Sequence, residues 1–134
     1  MEEVIMLNAE LKAIIPSKYR TFEKLERGDL YNFDSWGNDT YGNECLYYWF
    51  YSKDKSKKNQ KPVVVREIVN LLRNNLDNEK IKRLDFEKHC PTTLSAGPCG
   101  YAVTIRLLEY LGVARYLGRS GVQSINKEKI KSLI

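Results

Sequence analysis

The sequence is poor in the residues that build most metal and nucleophile sites. One histidine and three cysteines are all that 134 residues contain. No Cys-x-x-Cys pair occurs, and His89 and Cys90 are adjacent, a spacing that strains two ligands aimed at one ion. Cys45, His89, Cys90 and Cys99 therefore form the one candidate zinc set, set against inert core thiols. An odd cysteine count does not describe a secreted disulfide framework. Glycine-rich phosphate loops of the G-x-x-x-x-G-K or G-x-G-x-x-G kind are missing, so nucleotide-driven chemistry has no support. No apolar run approaches the length of a membrane span. The start, MEEVIMLNAE, is acidic where a signal peptide is basic. A cytoplasmic protein with no cofactor and no membrane contact is the expectation.

What is present is charge and aromatic surface. Lysine and arginine number 22 against 17 acids, a net charge of +5. A basic surface favours an anionic partner such as nucleic acid, or serves solubility alone. The 43% hydrophobic content suits a globular chain with a real core.

Val4, Leu7, Leu11 and Ile14 recur at helical spacing, and Pro16 ends that helix. Ser17 to Glu26 is expected to form a second short helix striped by Tyr19, Phe22 and Leu25, closed at Gly28. A loop rich in Gly, Asn and Asp should lead to a strand from Cys45 to Tyr51. Within that strand Leu46, Tyr48 and Phe50 share one side and Tyr47, Trp49 and Tyr51 the other. Burial of both rows in a core or interface is the simplest expectation. The alternative is that one row stacks bases of single-stranded nucleic acid. Five lysines follow within ten residues: Lys53, Lys55, Lys57, Lys58 and Lys61. They are read as a solvated loop that can contact phosphate.

From Val63 the pattern turns helical. Val65, Ile68, Val69, Leu72 and Leu76 mark an amphipathic helix, with Pro62 just before its start. KIKRL reads as a short strand. Asp85 caps a brief helix ended by Pro91, and TTLSAGPCG reads as a loop. A last long helix runs from Pro98 or Gly100 to Leu111, where Gly112 stops it. Val113 to Leu117 and Val122 to Ile125 are strands around the turn GRSG. Asn126 caps a terminal helix.

The stretch LLEYLGVARYLGRSGVQSIN, with the helix and strand order before it, resembles the winged-helix superfamily of DNA-binding domains. The resemblance covers the second half of the chain. The expected architecture is α+β: an N-terminal region 1–60 of helices and an aromatic β-hairpin, then a winged-helix-like domain over 61–134. The connection from Cys90 to Pro98 is longer than the three or four residues of a helix-turn-helix.

A helical wheel of the long helix puts Val103, Thr104, Leu107, Leu108 and Leu111 toward the core. Ala102, Ile105, Arg106 and Glu109 fall opposite, with Tyr101 and Tyr110 at the margins. The resemblance implies that Arg106 and Tyr101 meet the groove and that Arg115 and Arg119 of the wing meet phosphate. The first functional expectation is thus a small DNA-binding regulator or accessory factor without catalysis. The second is a protein-interaction module, an inhibitor or adaptor of the kind mobile elements encode, with a second copy of the chain among its partners. A small nuclease using Asp29, Asp34, Asp39 and Glu44, or a Cys99–His89 thiol enzyme, is a distant third.

Overall fold

A computed structural model describes residues 2–26, 30–52, 55–95 and 97–134, with side chains from residue 5 onward. Gly28, Asp29 and Lys53 lie outside the described residues, as does the side chain of Val4. The fold is α+β. Helix α1 spans Glu2–Ile14. Strands β1 (Thr21–Phe22), β2 (Tyr31–Asn38), β3 (Glu44–Tyr51) and β4 (Lys58–Val64) form an antiparallel sheet in the order β1-β2-β3-β4. Helix α2 (Val65–Arg73) follows β4 without a break. Strand β5 (Lys80–Ile81), helices α3 (Arg83–His89), α4 (Pro91–Ser95) and α5 (Pro98–Tyr110), strands β6 (Ala114–Tyr116) and β7 (Val122–Ser124), and helix α6 (Lys127–Leu133) complete the chain. Strands β5, β7 and β6 make a second antiparallel sheet in that order.

One hydrophobic cluster joins the two parts. It draws Leu7, Leu11, Ile15, Phe22, Leu46 and Tyr48 from the first sixty residues and Ile68, Leu72, Phe86, Ile105, Leu108 and Val122 from the rest. Each such side chain contributes about 1.5–3 kcal/mol when removed from water.

Several expectations are corrected. The predicted second helix is absent: Pro16 ends α1, and Thr21 and Phe22 pair with Asn32 and Tyr31 as an edge strand. Tyr19, Phe22 and Leu25 are used as a strap that packs on the core, not as a helical stripe. The expected loop before Cys45 contains β2. Its Asn, Asp and Gly residues survive in a strand because alternate positions face outward and a bulge between Phe33 and Ser35 adjusts the register. The lysine loop is shorter than expected, since Lys58 and Lys61 belong to β4. Pro62 is a strand residue there, tolerated because β4 is the sheet edge. The stretch TTLSAGPCG supplies the helix α4 and the start of α5 instead of a plain loop.

The short helix α4 depends on Glu67, a buried carboxylate on α2. Its Oε2 accepts from the Thr92 N–H at 3.0 Å, and Oε1 accepts from the Thr93 N–H at 2.8 Å and hydroxyl at 2.7 Å. Thr93 Oγ1 in turn accepts from the Val64 N–H at 3.0 Å, tying β4 to α4. Buried polar groups are tolerable only when satisfied in this way. Asp85 is not the cap of α3 but its third residue. It accepts the Lys82 N–H at 2.9 Å, half of a capping box. Asn126 does cap α6, accepting from the Lys129 N–H at 3.1 Å.

Candidate nucleic-acid interface

Helix α5 is the centre of the molecule, not an open reading surface. Residues 99–105 are all buried, including Tyr101, Ala102 and Ile105. The wheel correctly assigns Val103, Thr104, Leu107 and Leu108 to the core, but the opposite side is covered too. At the C-terminal end of α5, residues 19–24, the strap after α1, do the covering. Tyr19 stacks on Tyr110, and the Tyr110 hydroxyl donates to the Thr21 carbonyl at 2.7 Å.

Arg106 is consumed by the same contact. Its Nε donates to the Glu23 carbonyl at 2.9 Å and its Nη2 to the Lys24 carbonyl at 3.2 Å. Its Nη1 meets Glu109 Oε1 at 2.7 Å. Glu109 Oε2 also accepts the Tyr116 N–H at 3.2 Å. The fork of the guanidinium thus joins strap, helix and strand, a use that suits its planar donors. Tyr101 packs edge-on against Phe86 under the Arg83 guanidinium, and burial raises its phenol above the ordinary value. In this conformation Tyr101 and Arg106 do not face a nucleic-acid groove.

The other basic residues divide. Arg115 and Arg119 are exposed at the β6–β7 end, Arg119 in a 3₁₀ turn at Gly118–Ser120. Arg115 donates to Gln123 Oε1 across the sheet at 3.0 Å. Lys55, Lys57 and Lys58 are exposed at the β3–β4 turn. Lys61 is half-buried and turned to the other side of the sheet, opposite Tyr48 and 5.6 Å from the Phe50 ring centroid.

The aromatic strand resolves into two unlike rows. Leu46 and Tyr48 are fully buried and Phe50 is half-buried against the core. The second row, Tyr47, Trp49 and Tyr51, lies outward. Tyr51 is 51% exposed. The expectation of two buried faces is therefore corrected in part for the single chain: the inner side packs, while on the outer side Tyr47 and Trp49 are half-buried and Tyr51 meets solvent. Cross-strand pairing sets the neighbours of the outer row. Tyr47 faces Ser35 and Pro62, Trp49 faces Asn32 and Gln60, and Tyr51 faces Lys58. The Tyr47 ring lies across Gly37, where an added Cβ would come within 3.2 Å of it. Tyr47 Oη donates to the Asn38 carbonyl at 3.0 Å. Trp49 and Tyr51 meet edge to face, 5.2 Å apart at 80°. Lys58 Nζ sits 4.4 Å from the Trp49 centroid, a cation–π contact. Asp34 accepts from Gln60 and, at 3.1 Å, from the Ser35 hydroxyl.

The comparisons with known families, with curated proteins and with solved structures found no match.

The zinc set is not brought together: among the described residues no three His, Cys, Asp or Glu side chains are placed to hold a metal. The three thiols are buried, and none forms a disulfide. Cys90 lies against the Glu67 carbonyl, and burial, then the Glu67 charge, pushes its thiol up. The described acidic residues of the nuclease reading, Asp34, Asp39 and Glu44, make local contacts. Asp39 accepts from the Tyr41 and Asn43 N–H groups, and the bond from Asn43 lowers its carboxyl. Glu44 pairs with Lys12 at 3.4 Å. Gln60 beside Trp49 is a residue that the sequence does not flag, and Asp34 is singled out there only for the nuclease reading. Only the register of β2 and β4 against β3 places them beside Trp49. Among the described residues no helix is long and apolar enough to cross a membrane.

Proposed function

We propose that the protein binds DNA, as a regulator or accessory factor in a DNA transaction, and does so through its sheets and turns instead of α5. The observation that carries this reading is the Lys58–Trp49 contact at 4.4 Å. It lies on an exposed strand end beside Lys55 and Lys57. Lysines on an exposed turn neutralise phosphate, and an outward aromatic row adds apolar contact. Arg119 and Arg115 supply a second phosphate contact at the β6–β7 turn.

The winged-helix reading draws support from topology. The order α2, β5, α3, α5, β6, β7, with the short α4 inserted between α3 and α5, and the sheet order β5-β7-β6 suit that architecture. The β6–β7 turn is then the wing. The helix that would enter a groove is the one the strap covers, so the wing and the lysine turn are the contacts proposed.

The test is a titration of labelled DNA at several salt concentrations. Removing one phosphate-neutralising side chain flattens the logarithmic salt slope by about 0.7–0.9. The double variant Lys57→Gln/Lys58→Gln should weaken binding and flatten the slope by one to two such steps. Absence of binding at low salt refutes the proposal.

The second reading, a protein-interaction module, is favoured by Ile5 and Met6, exposed side by side on α1 at 64% and 52%. Adjacent exposed apolar residues fit an apolar partner, whose binding responds weakly to salt.

A further inference from the structure

The outer row of the first sheet carries Tyr47, Trp49 and Tyr51. We infer that it binds single-stranded DNA, with bases on Trp49 and Tyr51 and the sugar–phosphate chain running on the lysine side. This rests on the DNA-binding reading above and deepens it.

Residues i and i+2 of a strand stand about 6–7 Å apart, and the two rings lean together to 5.2 Å, so each can take a base only on a face turned away from the other ring. The Trp49 and Tyr51 rings are nearly perpendicular, at 80°. Bases lying on both are therefore splayed. A duplex holds neighbouring bases parallel and inside, where rings on a flat sheet cannot reach them. A single strand can splay its bases at little cost.

Charge orients the strand on this face. Tyr51 pairs across to Lys58, and the turn beyond carries Lys55 and Lys57. On the β2 side the face carries the carboxylate of Asp34. Phosphates are thus drawn toward β4 and its turn and repelled from β2. Lys58 now covers the Trp49 ring. A base that takes its place on the ring frees the ammonium for the phosphate beside it. The exchange swaps one cation–π contact for a stacked base and an ion pair.

The polar groups on the face favour DNA over RNA. The Gln60 amide and the Ser35 hydroxyl both donate to Asp34 Oδ2. One Gln60 amide hydrogen and the Ser35 hydroxyl are thus turned to Asp34 and away from a ribose 2′-hydroxyl, the group by which RNA is recognised at a site.

The experiment measures anisotropy of labelled strands of about 12 nucleotides, within the usual site size. Four probes are used: single-stranded DNA, its duplex, an abasic strand of equal charge, and the matching RNA. Single-stranded DNA should bind tightest. Trp49→Ala and Tyr51→Ala should each weaken it by about 5-fold or more, and Trp49→Phe should weaken it less. Duplex and abasic binding should not respond to these changes. Tyr51 is exposed, so its variant reports on binding with the fold intact. Equal binding of the abasic strand, or no effect of Tyr51→Ala and Trp49→Phe alike, overturns the stacking inference and leaves phosphate contact standing. Tighter binding of RNA overturns the choice of DNA. Binding of none of the four at low salt overturns this inference and the DNA reading together.

Discussion

Tyr19 and Tyr110 lie face to face, their ring centroids 3.9 Å apart and their planes inclined by 1°. One ring comes from the strap after α1 and the other from the end of α5. The Tyr110 hydroxyl holds the Thr21 carbonyl as well. Tyr110→Phe keeps the stack and removes one hydrogen bond, so it should cost about 1 kcal/mol. Tyr110→Ala removes both and should cost about 3–5 kcal/mol, as for other large aromatic truncations. Urea unfolding of the two variants checks the order.

Arg106→Ala should act on stability before it acts on any ligand. It removes two donors to strap carbonyls and the partner of Glu109. Hydrogen bonds from charged groups are worth about 1.5–3 kcal/mol. The expected result is a lower unfolding midpoint and increased amide exchange in the strap. DNA affinity per folded molecule should stay unchanged. Arg119→Ala should do the reverse, lowering affinity while leaving the midpoint in place.

Two glycines should respond to alanine very differently. At Gly100 an added Cβ would run into the Thr93 carbonyl oxygen, where α4 crosses α5. Backbone must move, and Gly100→Ala should cost several kcal/mol or prevent folding, on the order of severe overpacking. At Gly42 the φ is +79° and nothing lies within 4 Å. Gly42→Ala meets only the left-handed penalty, about 1–2 kcal/mol. Thermal unfolding of both variants measures the contrast.

Alkaline pH should destabilise the protein. Burial pushes the Cys45 thiol up to about 11, and the Cys90 thiol and Tyr48 phenol are raised by burial too. An unfolded thiol ionises near pH ~8.5. Between that value and the folded one the unfolded chain binds fewer protons, so stability falls as pH rises. Below pH 8 the thiols contribute no slope. Urea midpoints at pH 8 and pH 10 should differ in that direction. A thiol reagent at pH 8 should label Cys45 and Cys90 slowly in the folded chain and rapidly in urea.

The C-terminal half is the more legible part of the sequence. Its punctuation is local: Gly112 ends α5, Gly118 and Gly121 bound the turn, and Asn126 caps α6. The strap and β2 are not legible in the same way. Phe22 and Tyr19 fit a helical stripe as well as an extended strap, and only their contacts on α5 decide. Asn32, Asp34 and Gly37 look like loop residues because the outer face of a sheet tolerates polar and small side chains. The error over α5 has the same origin. A wheel finds the most apolar side and leaves Ile105 and Arg106 over, but it cannot know that Ile105 is buried in the core too or that residues eighty positions earlier return to hold Arg106. The outer aromatic row is visible as an alternation. Its solvent exposure depends on which layer lies beneath the sheet.

Strand β4 closes one edge of its sheet and carries Lys58, Lys61 and Pro62. An open edge invites another strand to zip onto it, and lysine and proline are among the residues that discourage this. The Val64 N–H at the far end is already taken by Thr93. The positive side chains proposed to meet phosphate thus have a second duty, keeping copies of the chain from aggregating edge to edge. Neutralising Lys58 will therefore lower the concentration at which the protein stays monodisperse, whatever it does to ligand affinity.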